Sequence, residues 1–203
     1  NIGGNKGDNY LARDYERQIT IDKEGKVTVK LTGSWKHLWT QADEDGLNQM
    51  LPQLANLPRK NKENFWHVIG KSNTKHALRF FVPKGSTLIS STGLNYQPTA
   101  GEENGYTVWY SEVDVPLSEQ KTFSLSYTLP YQLNVQTGDT YRFLMQKQAG
   151  ATNETLKYTV SLDSELEPLA NYPSDLSQGP NSQTISTDLN TDRYFEMLVR
   201  RRL

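Results

Sequence analysis

Residues 27–35 alternate with period two: Val27, Val29, Leu31, Gly33 and Trp35 fall on one parity, and Thr28, Lys30, Thr32 and Ser34 on the other. Successive side chains of a strand point to opposite faces, so such a run buries one face and wets the other only as a β-strand. Upstream, Tyr15, Ile19 and Ile21 alternate with Glu16, Gln18 and Thr20. Asp22-Lys23-Glu24-Gly25 joins the two runs, with Gly25 available for a positive φ, and the pair predicts a β-hairpin. Phe123, Leu125, Tyr127 and Leu129 repeat the pattern, as do Leu156, Tyr158, Val160 and Leu162.

Further strands are predicted over 76–82, 87–91, 106–113, 141–146, 183–188 and 194–199. Pro83-Lys84-Gly85-Ser86 and Thr137-Gly138-Asp139 supply turn chemistry where neighbouring patterns stop, and Pro116 and Pro130 close their strands at an edge or end. Roughly nine or ten short strands with turn-limited spacing point to an all-β, immunoglobulin-like antiparallel sandwich rather than alternating βα units. The expectation is one domain over 1–203. Two segments break the alternation. In 41–64, Leu47, Met50, Leu51 and Leu54 take helical spacing after Asp43-Glu44-Asp45, while Pro52 fits only a first turn, so an irregular insertion with one short helix is expected. In 171–182, Pro173, Gly179 and Pro180 predict a long loop. Such loops on a rigid sandwich are natural places for binding.

Composition narrows the function classes. With 22 basic and 23 acidic residues the net charge is -1, so the long-range attraction of a nucleic-acid or anionic-membrane binder is missing. The chain has no Cys, which excludes disulfides, cysteine zinc sites and thiol nucleophiles. Eleven Tyr and four Trp supply the large amphipathic rings a folded core needs. No apolar run approaches the about 20 residues that cross a bilayer, and the first residue is Asn1, so the chain reads as an excised fragment with any signal or anchor outside it.

The search for chemistry returns little. There is no Gly-x-Ser-x-Gly elbow, and His37, His67 and His76 form no close metal-binding pair. Gly70-Lys71-Ser72 resembles the end of a phosphate loop, but Phe65 occupies the place of its first Gly, so it is a turn. Asp43, Glu44 and Asp45 offer oxygen ligands without the spacing of a calcium loop, and a solvated helix start is the simpler reading. Trp35 and Trp109 lie in strand patterns and read as core. Trp39 and Trp66 flank the insertion; they read first as core and second as an apolar platform for a glycan or peptide. Asn153-Glu154-Thr155 meets a glycosylation rule that is frequent by chance, and Arg200-Arg201-Arg202 reads as a solvated terminus. No catalytic residue, metal ligand or cofactor follows from these motifs.

Three stretches carry a resemblance. They are Asn1-Ile2-Gly3-Gly4-Asn5-Lys6-Gly7-Asp8-Asn9-Tyr10, Leu78-Arg79-Phe80-Phe81-Val82-Pro83-Lys84-Gly85-Ser86, and Thr191-Asp192-Arg193-Tyr194-Phe195. Together they resemble the C-terminal region of bacterial proteins in the domain of unknown function 4012 family, over most of the chain outside 41–64. The resemblance implies a membrane-anchored envelope protein whose upstream region is similar to cell-wall glycopolymer transferases of the LytR-CpsA-Psr type. For this portion it implies an extracellular or cell-surface β-sandwich, non-catalytic, that supports or extends its neighbour and meets a protein or cell-wall glycan. With the balanced charge noted above, no nucleic-acid binding and no membrane insertion by this portion are expected. The alternatives are a glycan-binding module acting through Trp39 and Trp66, and an enzyme of glycopolymer transfer or hydrolysis.

Overall fold

A computed structural model describes residues 6–179 and 181–202; residues 1–5, where the family-like opening begins, lie outside it. The predicted hairpin forms from β1 (Leu11–Ile21) and β2 (Lys26–His37), paired from Leu11 with His37 to Ile21 with Val27. Gly25 turns it at φ +85, and a Cβ there would lie 2.1 Å from the Leu133 carbonyl oxygen. Asp22 Oδ1 accepts from the amides of Glu24 and Lys26, which fixes the turn from the side-chain end. Gly33 answers a different need: Phe123 lies across its Cα, and a Cβ would meet that ring at 2.4 Å.

The chain continues through α1 (Gln41–Met50), α2 (Arg59–Ile69), β3 (Thr74–Pro83), β4 (Thr87–Thr92), β5 (Thr99–Glu103), β6 (Tyr106–Val115) and β7 (Gln120–Gln132). It closes with β8 (Asp139–Met145), β9 (Glu154–Leu162), β10 (Leu166–Tyr172), β11 (Ser177–Gln178), β12 (Ser182–Asp188) and β13 (Arg193–Arg201). Seven strands make one sheet in the order β11-β12-β9-β1-β2-β7-β4; two three-stranded sheets run β10-β13-β8 and β3-β6-β5. All pairs are antiparallel except β1 with β9, which run parallel from Arg13 beside Glu154 to Ile21 beside Leu162.

The fold is a β-rich, sandwich-like packing of sheets. Both small sheets lie against the same face of the large one. Phe195 of β13 stacks on Tyr158 of β9 at 4.2 Å, while Trp109 of β6 meets Tyr127 of β7 edge-on at 5.2 Å. The predicted inward parity holds at most positions: Val27, Val29, Trp35, Phe123, Leu125, Leu156 and Val160 are all at most 5 % exposed and share one core, while Leu31 is only half-buried.

The structure corrects four details. Thirteen strands are described rather than nine or ten, because β5, β10 and β11 give no alternation signal. The sequence of β5, Thr-Ala-Gly-Glu-Glu, has no β-branched or aromatic pair, β10 carries Pro168 at a register break, and β11 has two residues. Pro130 does not end its strand; β7 runs on to Gln132 through a register break opposite β2. The 41–64 insertion holds two helices, the second reaching Ile69, separated by a 3-10 turn that starts at Pro52. Within 171–182 the short strand β11 pairs with β12.

Candidate functional site

Trp39 and Trp66 come together, as core. They are 4 % and 7 % exposed, meet edge to face at 6.2 Å, and close with Leu54 a second small core between the helices and the end of the hairpin. Tyr10 packs edge-on against Trp39 at 4.6 Å, and Lys71 lies over the Trp66 ring. The rings spend their faces on one another, and each contributes about 1.5–3 kcal/mol of burial to holding the helices down.

His37 hinges this second core to the sheet. Its Nε2 donates to the Gly70 carbonyl at 3.1 Å and its Nδ1 accepts from the Trp39 amide at 3.2 Å, an arrangement that requires the neutral ring. Burial lowers its pKa below the usual histidine value, against the pull of the Gly70 and Ser72 carbonyls. The acidic run is used locally. Asp43 completes a capping box with Thr40, Glu44 pairs with Lys71, and Asp45 accepts from Gln41.

Sequence reasoning missed the polar row on the inner face of β1. Arg13, Tyr15 and Arg17 share the parity of Ile19 and Ile21, on the face that β3 covers through His76 and β8 through Tyr141. Arg13 is 4 % exposed. Its Nη2 donates to Asp8 at 2.5 Å, its Nη1 lies 3.9 Å from Glu154, and its guanidinium covers Trp35 at 5.0 Å. Lys147 reaches the other Glu154 oxygen at 3.3 Å, and His76 of β3 places Nδ1 3.7 Å from Asp8. Four residues on, Arg17 is buried with no carboxylate paired to it among the described residues. Nη1 donates to the Tyr127 hydroxyl at 2.9 Å and Nη2 to that of Tyr141 at 3.3 Å, while Phe143 lies flat beneath it at 3.8 Å.

These environments move the protonation equilibria. Burial pushes His76 down to about 4, against the upward pull of Asp8, so it is neutral at pH 7. Burial raises the Tyr141 and Tyr158 hydroxyls, which therefore stay protonated. Burial disfavours charge on Arg17, but the Tyr127 and Tyr141 oxygens outweigh it and hold the guanidinium above its ordinary value. The row therefore ties three sheets together, with His76 neutral at pH 7.

A different polar and aromatic group faces outward on the β10-β13-β8 sheet. Tyr172, Tyr194 and Leu144 are 60 %, 40 % and 50 % exposed, and the two tyrosine rings lie 6.1 Å apart at 44°. Register places Glu196 between Tyr172 and Arg142, and Tyr194 beside Leu144, all on one face. Tyr194 donates to Glu196 at 2.7 Å, and Arg142 pairs with the other Glu196 oxygen at 3.2 Å. The Tyr194 hydrogen bond, with Arg142, holds the Glu196 carboxyl below its usual range. The signal for this patch was the parity of β13, where Tyr194, Glu196 and Leu198 oppose buried Phe195, Met197 and Val199. Tyr172 had none, because it falls at the edge of the predicted loop.

No protein-family model matches the sequence, and a comparison with curated proteins finds no match. Solved structures do resemble the fold. A Legionella pneumophila protein provisionally named as nutrient binding superposes with a TM-score of 0.56 at 7 % identity, over 94 % of this chain and 67 % of that one. An M1 zinc metallopeptidase from Deinococcus radiodurans gives a TM-score of 0.41 at 9 % identity, over 94 % of this chain and 42 % of that one, too loose a likeness to support any inference. At 7 % identity the Legionella likeness is one of fold alone, extending over 94 % of this chain.

Proposed function

We propose that this chain is a non-catalytic interaction module of a bacterial cell-envelope protein, displayed outside the membrane, whose sandwich serves as an immunoglobulin-like scaffold for surface contacts. The observation that carries this reading is a division of labour between faces. The inner charged groups are turned on one another as ties between sheets, whereas Tyr172, Tyr194 and Leu144 stand exposed on an outer face. The resemblance to the domain of unknown function 4012 family supplies the envelope setting. The test is affinity capture with the purified chain from separated envelope and cytosolic fractions. Partners retained from the envelope and lost with Tyr172→Ala/Tyr194→Ala support the reading; partners from the cytosol alone remove it.

A glycan partner is the second reading, and the tyrosine pair favours it over a purely protein contact. Sugar C–H faces stack on aromatic rings, and Arg142 with Glu196 lies alongside to meet hydroxyls. This moves the binding platform away from Trp39 and Trp66, whose faces are closed. Titration with cell-wall glycopolymers decides: binding should disappear in the double tyrosine variant while the fold persists.

A further inference from the structure

Where β9, β12 and the start of β10 meet, the sandwich holds a cavity of ≈ 120 Å³. Its floor is apolar, formed by Val160, Leu162 and Leu166, and its rim carries Asn181 and Arg202. Gln183 projects into it from β12, directly opposite Val160 on the inner face of the large sheet. This side chain is 5 % exposed, and its Oε1 has no hydrogen-bond partner among the described residues. A buried, unmatched amide oxygen is costly, and an apolar residue at this inward position would avoid the cost. Arg202 adds a second unmet demand. Of the three consecutive arginines, Arg200 pairs with Glu167 and Arg201 with Glu165, whereas Arg202 has no carboxylate within 4.0 Å among the described residues. Instead its Nε donates to the Leu166 carbonyl and its Nη2 to Asn181, which aims the guanidinium over the cavity mouth.

We propose that this cavity binds a short-chain carboxylic acid carrying a hydroxyl group. The carboxylate meets Arg202 at the rim, the chain lies on Val160, Leu162 and Leu166, and the hydroxyl donates to Gln183 Oε1. The volume is slightly below that of engineered cavities of about 150 Å³ that hold benzene, which limits the buried part to about six non-hydrogen atoms. The site lies on a different part of the molecule from the tyrosine face, so neither depends on the other.

The test is an NMR titration of the 203-residue chain with 3-hydroxybutyrate, and with butyrate, which lacks the hydroxyl. The expected result is saturable shifts of the Val160, Leu162 and Leu166 methyls and of the Gln183 side-chain amide, with butyrate about tenfold weaker for the lost hydrogen bond. Gln183→Leu should remove that preference, and Arg202→Gln, a change at the surface, should weaken both acids. Shifts that do not saturate, that scatter over the surface, or that persist unchanged in Arg202→Gln overturn the proposal. So does a Gln183→Leu variant that is more stable than the parent when neither acid binds the parent, since the amide would then only be holding water.

Discussion

Arg13 and Arg17 sit four residues apart on the same face of the same strand, and the fold accommodates them in opposite ways. Arg13 enters an ionic group with Asp8 and Glu154, and Lys147 and His76 attach to those carboxylates. Arg17 is surrounded by hydroxyls and ring faces that carry no formal charge. A buried ion pair recovers its desolvation cost through attraction between partners, so losing one partner strands the other. A guanidinium among tyrosines recovers it through charge-assisted hydrogen bonds and the negative face of a ring, and its partners remain neutral when it is removed. The ionic end should therefore be brittle and pH-sensitive, and the aromatic end tolerant.

The largest effect should come at the ionic end. Arg13→Met leaves Glu154 buried with only Lys147 opposite it, and should cost about 3–5 kcal/mol in urea unfolding. If it proves milder than Arg17→Met, the contrast between the two ends fails.

Next in size is the pH response. In the unfolded chain His76 titrates at its ordinary 6.5, and in the folded chain at about 4. Between those values the unfolded chain holds a proton that the folded chain refuses, so stability is full above pH 6.5 and falls as the pH drops toward 4. The loss through that window should reach at most about 3 kcal/mol at 1.36 kcal/mol per pH unit. His37, whose pKa is also lowered by burial, adds to it with the same sign. His76→Gln should flatten the curve of stability between pH 6.5 and 4, whereas Arg17→Met should leave its slope untouched. An unchanged slope in His76→Gln would place the sensitivity elsewhere.

Tyr141→Phe should follow, at about 1.5–3 kcal/mol, because it removes a hydrogen bond to a charged group that has few others. Tyr158→Phe probes the same neighbourhood without that loss. Its hydroxyl has no hydrogen-bond partner among the described residues, so the change should cost less than Tyr141→Phe in the same measurement.

How far the sequence foretold these two ends follows from what period-two reading can detect. The parity that located Ile19 and Ile21 in the core runs on through Arg17 and Arg13, but two charged side chains gave no reason to follow it inward, and the row was missed. What could not be read was the partner set. Glu154 comes beside Arg13 through a parallel pairing of strands 141 residues apart, and Tyr141 reaches Arg17 from another sheet. Local pattern carries no information about such long-range register. The same limit explains why Trp39 and Trp66 could be named as a pair but not assigned: spacing put both beside the insertion, and only the packing of α2 closed their faces. β5 and β10 stayed hidden for the opposite reason, since their pairing is imposed by β6 and β13 on sequences with little strand preference of their own.

The smallest effect is the most discriminating. If the aromatic cage is a self-contained solution, then Arg17→Met combined with Tyr127→Phe and Tyr141→Phe removes the cation together with both hydroxyls that serve it and creates no newly unmatched polar group. Such a replacement should leave stability within about 1 kcal/mol of the parent, since removing both halves of a buried polar contact is far cheaper than removing one. Arg17→Met alone should cost more than the triple variant, because two hydroxyls then lose their donor. A matching exchange at the ionic end, Arg13→Met with Glu154→Gln, should not recover in the same way. Lys147 would keep a charge whose carboxylate had gone. Recovery at both ends would mean that the two arginines are handled alike and that carboxylates near Arg13 are incidental to its burial.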